Sequence, residues 1–181
     1  RAEYEECCTV IRSLIPPPGV RTTFNGEELE PREPITEFEA SLPTEVADEE
    51  GNLRSSTRKT TIRVYDPRPD EDPSIYELGI PVVETGDKWH VDVQQKVPLN
   101  WQRDNVTPGY LKHLRVLTLN AMHDHLEEED ANETWVREAT SDSRCSDAAI
   151  STAIKHRYGD RVVSADPSDP ESRSRAVSEG Y

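Results

Sequence analysis

The positions Trp89, Val91, Val93, Gln95 and Val97 alternate by two, and after Pro98 the spacing changes to that of a helix. Tyr110, Leu114, Leu117 and Ala121 recur at helical intervals, with Leu111, Val116, Leu119 and Leu126 widening the apolar stripe. A strand is therefore expected to run into a corner, Pro98 to Pro108, and then into a buried helix over 108–127. Thr107 can cap the first free N–H groups, and Pro108 stands where a missing N–H costs nothing.

The same reading applied from the start predicts a short helix over 2–15, with Tyr4, Cys8, Ile11 and Ile15 on one face, stopped by Pro16-Pro17-Pro18-Gly19. Asn25-Gly26 between Val20–Phe24 and Glu27–Pro31 predicts a hairpin. Ile35–Leu42 alternates as a strand, Thr44–Thr57 reads as a polar connection, and Lys59–Tyr65 is a strand with Thr60, Ile62 and Val64 inward. Asp66–Pro73, rich in proline and acids, reads as a solvated link. Ile75–Val83 reads as a strand interrupted by Gly79 and Pro81, placed at a sheet edge or carrying a bulge. Beyond an acidic break at Glu127–Asp130, helices are expected around Glu133–Ala139 and Asp147–Tyr158, the latter with Ile150, Ala153, Ile154 and Tyr158 inward. A strand is expected at Arg161–Ala165, a turn at Asp166–Pro170 and a helix at Glu171–Glu179. The fold class is α+β: an antiparallel sheet capped by a long helix, followed by a small α/β module.

Composition narrows the function. With 21 Lys and Arg against 36 Asp and Glu, the net charge of −15 repels phosphate backbones and argues against direct nucleic-acid binding. No apolar run approaches the ~18 residues of a membrane span, so a soluble protein with no membrane contact is expected. Three cysteines, two of them the neighbours Cys7 and Cys8, make no orderly disulfide framework and point to a reducing, cytoplasmic compartment. At least one of that pair is expected to be a buried structural thiol. Neither end reads as a natural terminus: the only methionine is Met122, and Ala176–Tyr181 reads as a helix end with Gly180 just past it. An internal fragment of a longer protein is expected.

Among candidate groups, Arg103 stands at the strand-to-helix corner in the form Pro98-Leu99-Asn100-x-x-Arg103-Asp104. Its guanidinium fork suits a terminal phosphate whose charge grows during transfer; the alternative is an arginine paired with Asp104 or covering the helix start. Lys59 and Arg58, among the hydroxyls of Ser55–Thr61, are either a second phosphate contact or part of a solvated loop. His123 and His125 lie two apart and face different sides of a helix, so with His113 and Asp124 they read as a polar helix end and no metal site is assigned. The sequons at Asn105 and Asn132 are attributed to chance. There is no nucleotide-cradling glycine loop and no Gly-x-Ser-x-Gly elbow.

The corner Pro98–Asp104 resembles the middle domain of the ninety-kilodalton heat-shock chaperones, where a Pro-Leu-Asn-x-x-Arg-Glu segment precedes a helix. There the arginine reaches the γ-phosphate held by the N-terminal ATPase domain. Asp104 stands where the chaperones have glutamate. More extensively, residues 12–181 resemble the downstream part of histidine-kinase-like (GHKL) ATP-binding proteins of the actinobacterial and phage type. The stretches that carry this are Phe24–Glu27, Thr57–Thr61, Ile75–Val82, Val97–Leu111 and Asp166–Glu171.

The resemblance implies ATP and Mg2+ bound mostly ahead of Arg1, with the metal-holding asparagine, general-base glutamate and adenine-binding aspartate also there. Residues 1–34 would end the ATP-binding domain or form its exit helix and hairpin. Residues 35–128 would be a transducer-like α+β domain, and 129–181 a truncated C-terminal α/β module. The implied function is coupling: Arg103, with Lys59 and Asn100 as further contacts, senses the γ-phosphate and turns nucleotide state into domain arrangement. The fragment would be inactive alone and its parent an ATPase. Its partners would be the ATP-binding domain of the same chain and a protein partner or a second copy in a homodimer. The alternative is a non-catalytic interaction module that uses an acidic surface and a sheet edge.

Overall fold

The structure, a computed structural model, describes residues 2–102, 104–160, 171, 174, 175 and 178. Arg103, the expected strand at 161–165, the turn at 166–170, Gly180 and most of the helix expected over 171–179 lie outside the described residues. The chain divides into two compact units, Arg1–Leu114 and Arg115–Tyr181.

The first unit opens with α1 (Ala2–Arg12), ended ahead of Pro16 as the proline run requires. A two-residue turn follows between β1 (Thr23–Phe24) and β2 (Glu27–Glu28), with Asn25 and Gly26 both at positive φ (52° and 85°). Then comes a five-stranded sheet in the order β3-β4-β7-β5-β6, from β3 (Thr36–Ala47), β4 (Leu53–Tyr65), β5 (Ser74–Glu77), β6 (Ile80–Glu84) and β7 (His90–Val93). All pairs are antiparallel except β5 with β7. The mixed α+β class is as expected.

Several elements differ from the reading of the pattern. Thr44–Thr57 is not a connection: β3 and β4 pair straight through it, Thr44 opposite Ser56, and turn only at 48–52. There Asp48 accepts backbone N–H groups from Glu50 and Asn52 and the Nε–H of Arg54. Ile75–Val83 is two strands, because Leu78 (φ 53°) and Gly79 (φ 84°) form a tight hairpin turn. The expected edge is β6 and the expected bulge lies at Ile75/Tyr76. Strand β7 is only His90–Val93 and is buried on both faces, since it lies centrally between β4 and β5.

Register gives the sheet two unlike faces. One carries Ile62, Val64, Val91, Val93 and Ile75, all buried, together with Leu42, Thr44 and Glu77. The other carries Glu37, Glu39, Lys59 and Arg63 on the long hairpin, then Tyr65, His90, Asp92, Ser74 and Tyr76. Ile15, carried in by the chain leaving α1, packs with Tyr65 and Tyr76.

Helix α2 (Pro108–Met122) starts as predicted: Tyr110 N–H donates to Thr107 Oγ1 (3.3 Å) and Leu111 N–H to Thr107 O (3.0 Å). Its buried positions are Tyr110, Leu114, Val116, Thr118, Leu119 and Met122; of the stripe read from spacing, Leu111, Leu117 and Ala121 are only half-buried, and Thr118 and Met122 take inward places the spacing did not assign. The boundary between the units falls within this helix.

In the second unit two short 3₁₀ turns, His123–His125 and Asp130–Asn132, lead to α3 (Thr134–Thr140) and α4 (Asp147–Tyr158). Ser146 caps α4 and Gly159 ends it at φ 88°. Asn120 ties the α3–α4 link to α2 by donating to Arg144 O and accepting from Ser146 N–H. The inward face of α4 is Ala149 and Ala153, whereas Ile154 and Tyr158 are exposed, because small residues allow close approach there.

Candidate functional site

The corner that follows β7 is a closed loop. Lys96 O accepts from Thr44 Oγ1 (2.7 Å) and Val97 N–H donates to Glu77 Oε2 (2.7 Å), which fixes the entry over the apolar face of the sheet. Leu99 and Val106 form an antiparallel bridge, and Asn100 N–H donates to Asn105 O (2.7 Å). Inside that neck Asn100 Nδ2 donates to Asp104 Oδ1 (2.7 Å) while Asn100 Oδ1 accepts from Asp104 N–H (3.3 Å). Asn100 thus shapes the loop with both ends of its amide. Trp101, at the tip, is 90% exposed. Arg103 is outside the described residues, but both its neighbours sit in this pinned loop.

Lys59 lies elsewhere. Its ammonium pairs with Glu39 Oε2 at 2.6 Å, both side chains largely exposed, on the sheet face opposite the one that holds Lys96 and Val97. The structure does not bring Lys59 and Asn100 onto one face. An exposed pair of this kind adds about 0–1 kcal/mol, so it is a loose tether for the lysine.

On the polar face a cleft of about 740 Å³ runs between the last turns of α1 and β6. Thr9, Val10, Arg12 and Ser13 form one wall, Pro81 to Glu84 the other; Ser74, Tyr76 and His90 lie at the floor and Asp104 at the rim. Under it is a network that no local pattern announces. Arg32 donates from both terminal nitrogens to Glu71 (3.1 and 2.9 Å) and also to Asp66 O (2.9 Å). Glu71 Oε2 further accepts Arg68 N–H (2.9 Å) and lies 3.0 Å from His90 Nε2.

The tautomer of His90 follows. Ser74 N–H donates to Nδ1 (3.1 Å), so the ring proton is on Nε2 and points at Glu71. Burial holds the imidazole below its ordinary value, against the pull of Glu71. For Glu71 burial pushes upward, but the hydrogen bonds from Arg68, Arg32 and His90 outweigh it and hold the carboxyl below the usual range. The ring is neutral with both nitrogens engaged, a strut rather than a proton carrier. Tyr76 stacks edge-on against it, donates to Ser13 O (3.0 Å), and is pushed by burial up to about 12.

Asp92, also buried, accepts Gly79 N–H (2.9 Å) and Gln94 Nε2 (2.5 Å); burial raises its carboxyl. It holds the Leu78-Gly79 turn against the chain leaving α1, where Ile15 N–H donates to Gly79 O (2.9 Å). Sequence reading missed Arg32, Glu71, His90 and Asp92. The one available signal was His90 and Asp92 interleaved with Val91 and Val93, polar side chains at positions where a central strand is buried on both faces.

Among the described residues no group of three or more His, Cys, Asp or Glu side chains is arranged to hold a metal ion, and no helix is long and apolar enough to cross a membrane. Cys7 is exposed and Cys8 half-buried, so the buried thiol is Cys145 instead, because α1 turns its Cys7 side outward. No family model, curated protein or solved structure matches the chain.

Proposed function

We propose that this chain is the coupling region of a GHKL-type ATPase. In this reading the loop 99–106 carries Arg103 to the γ-phosphate of an ATP–Mg2+ complex bound by a preceding domain. The observation that supports it is the loop itself. It is closed at its neck by the Leu99–Val106 bridge, braced internally by Asn100 and Asp104, and continuous with the start of α2. A cation offered from such a mount loses little freedom on meeting an anion, which is what transition-state stabilisation requires. Asn100 serves as a positioning residue through Asp104. Lys59, held on the other face by Glu39, is left out of the phosphate contact. Closure of the two domains would exclude water and convert nucleotide state into domain arrangement.

The test is ATP turnover in the protein that carries the nucleotide-binding domain. Arg103→Ala is expected to lower turnover roughly 100-fold, the scale of losing one transition-state donor. Arg54→Ala, at the exposed tip of the β3–β4 hairpin, is expected to leave it unchanged. Equal turnover in the two variants would end the proposal.

A further inference from the structure

Strand β6 is one of the two edges of the sheet, β3 being the other: it pairs with β5 alone, and among the described residues no strand lies on its outer side. It is not guarded as edges usually are, since it carries no lysine and shows Ile80, 56% exposed, beside the equally open Leu78. Its blunting devices are Pro81, which removes a single donor, the bulge opposite Ile75/Tyr76 and the terminal Glu84. Along it runs the 740 Å³ cleft, whose far wall is α1 and whose rim is Asp104. Four exposed carboxylates line that cleft, Asp70, Asp72, Glu84 and Asp104, against the two guanidiniums of Arg12 and Arg68; Glu71, also in the lining, is already held by Arg32. Arg68 is turned inward in part, since it donates to the backbone oxygen of Arg12 (3.0 Å) and lies 3.9 Å from Glu71, whereas Arg12 is exposed. An edge with open backbone, a slot beside it wide enough for side chains, and an excess of acid around that slot share one complementary ligand.

We infer that the β6 edge and the adjoining α1 cleft bind an extended, lysine- or arginine-rich segment of another protein, which adds to the sheet as a sixth strand. The five residues Ile80–Glu84 offer a pairing length of about 17 Å, that of an ordinary strand. Main-chain pairing would supply affinity, Ile80, on the apolar face beside Glu77, would take apolar side chains, and the carboxylates on the cleft side would select cations at alternate positions. Polyanions are excluded by the same charge. The inference requires no nucleotide, and Asp104 is the one residue it shares with the ATPase reading.

The experiment uses the full chain and a labelled heptapeptide of alternating lysine and valine, with binding read by fluorescence anisotropy at low and moderate salt. Saturable binding in the micromolar range is expected, weakening about tenfold as salt rises. Two further probes separate the causes. The same peptide N-methylated at alternate amides keeps its charge but cannot pair with an edge, and should bind at least tenfold more weakly. The glutamate–valine version should not bind. On the protein side, Ile80→Lys places a like charge at an exposed position and should weaken binding about tenfold without changing the fold. Asp70→Asn combined with Glu84→Gln should do the same. No binding of the lysine peptide, equal binding of its N-methylated form, or equal binding of the glutamate peptide would overturn the inference. So would concentration-dependent self-association that Ile80→Lys abolishes, since the edge would then belong to a second copy of this chain.

Discussion

Gly79→Ala would put a methyl group where Ile15 already has its carbonyl oxygen. An ideal Cβ on Gly79 falls 2.2 Å from Ile15 O and 3.3 Å from its carbon, both backbone atoms that cannot swing aside as a side chain would. The residue also sits at φ +84°, where a Cβ costs about 1–2 kcal/mol. The reduced freedom of the unfolded chain returns about 0.4–1 kcal/mol of this. Relieving the clash means moving the chain at 13–15 by roughly 1 Å, given ordinary contact distances. That movement strains the bond from Ile15 N–H to Gly79 O and the bond from Tyr76 OH to Ser13 O, each of about 1 kcal/mol. It also lifts Ile15, now 5% exposed, out of part of its burial, a further 1 kcal/mol or so. The expected loss is about 3–4 kcal/mol. Gly86→Ala is the control: its φ is also positive, +66°, but nothing lies within 4 Å of the added carbon, so about 1 kcal/mol is expected. The assay is urea unfolding followed by Trp89 fluorescence, with Trp101 and Trp135 replaced by Phe. If the two alanine variants unfold within about 1 kcal/mol of each other, a tight approach of Ile15 to Gly79 is not what the fold depends on.

Arg32→Ala should cost about 3–5 kcal/mol, because it leaves the buried Glu71 carboxylate without its bidentate partner; Glu71→Gln in the same background should recover part, and a loss under about 1 kcal/mol would refute the network's weight. Stability should also fall with acid in two stages. The folded-state value of His90 lies below 6.5, so the unfolded chain binds the extra proton first and stability declines as pH drops below about 6.5. Glu71, held below 4.5, adds a second decline below that value, while Asp92, raised above 3.8, works in the opposite sense over its own window. Nitrogen chemical shifts of the His90 ring should report the Nε2–H form at pH 6, and a titration midpoint at or above 6.5 would contradict the neutral strut.

What the sequence disclosed was whatever one residue type decides locally. Pro16 had to stop α1, Asn25-Gly26 had to turn, Thr107-Pro108 had to open α2, and Gly159 had to close α4. The β3–β4 ribbon escaped because it runs beyond the sheet: β7 pairs with β4 only over Ile62–Tyr65, and Ser55, Ser56 and Thr57 are all polar and offer no apolar alternation to be read. Leu78 disguised the β5–β6 turn, since leucine at positive φ is not a turn signal. The Arg32–Glu71–His90 network escaped for another reason. Its members are 39 and 19 residues apart, and Glu71 stands in a proline-rich acidic run that looks like a solvated link.

That network also takes His90 out of acid–base chemistry in the cleft. A histidine next to a glutamate at the floor of a cavity invites a reading as a general base, but Nδ1 of His90 already accepts from Ser74 and Nε2 already donates to Glu71. Taking a proton from a substrate would require breaking a backbone hydrogen bond beneath a buried ring, so the pair is set to hold the 68–72 connection in place. Through Arg68 N–H that connection is tied to Glu71, and through the Arg68 guanidinium to the end of α1. The polar face of the sheet therefore fixes the cleft wall against β6, while the apolar face holds the loop that carries Arg103 through Thr44 and Glu77. The cleft wall and the neck of the loop thus have separate anchors, with Asp104 shared at the rim, and loss of the Arg32 network should disturb the proposed peptide capture at the edge before it disturbs the loop.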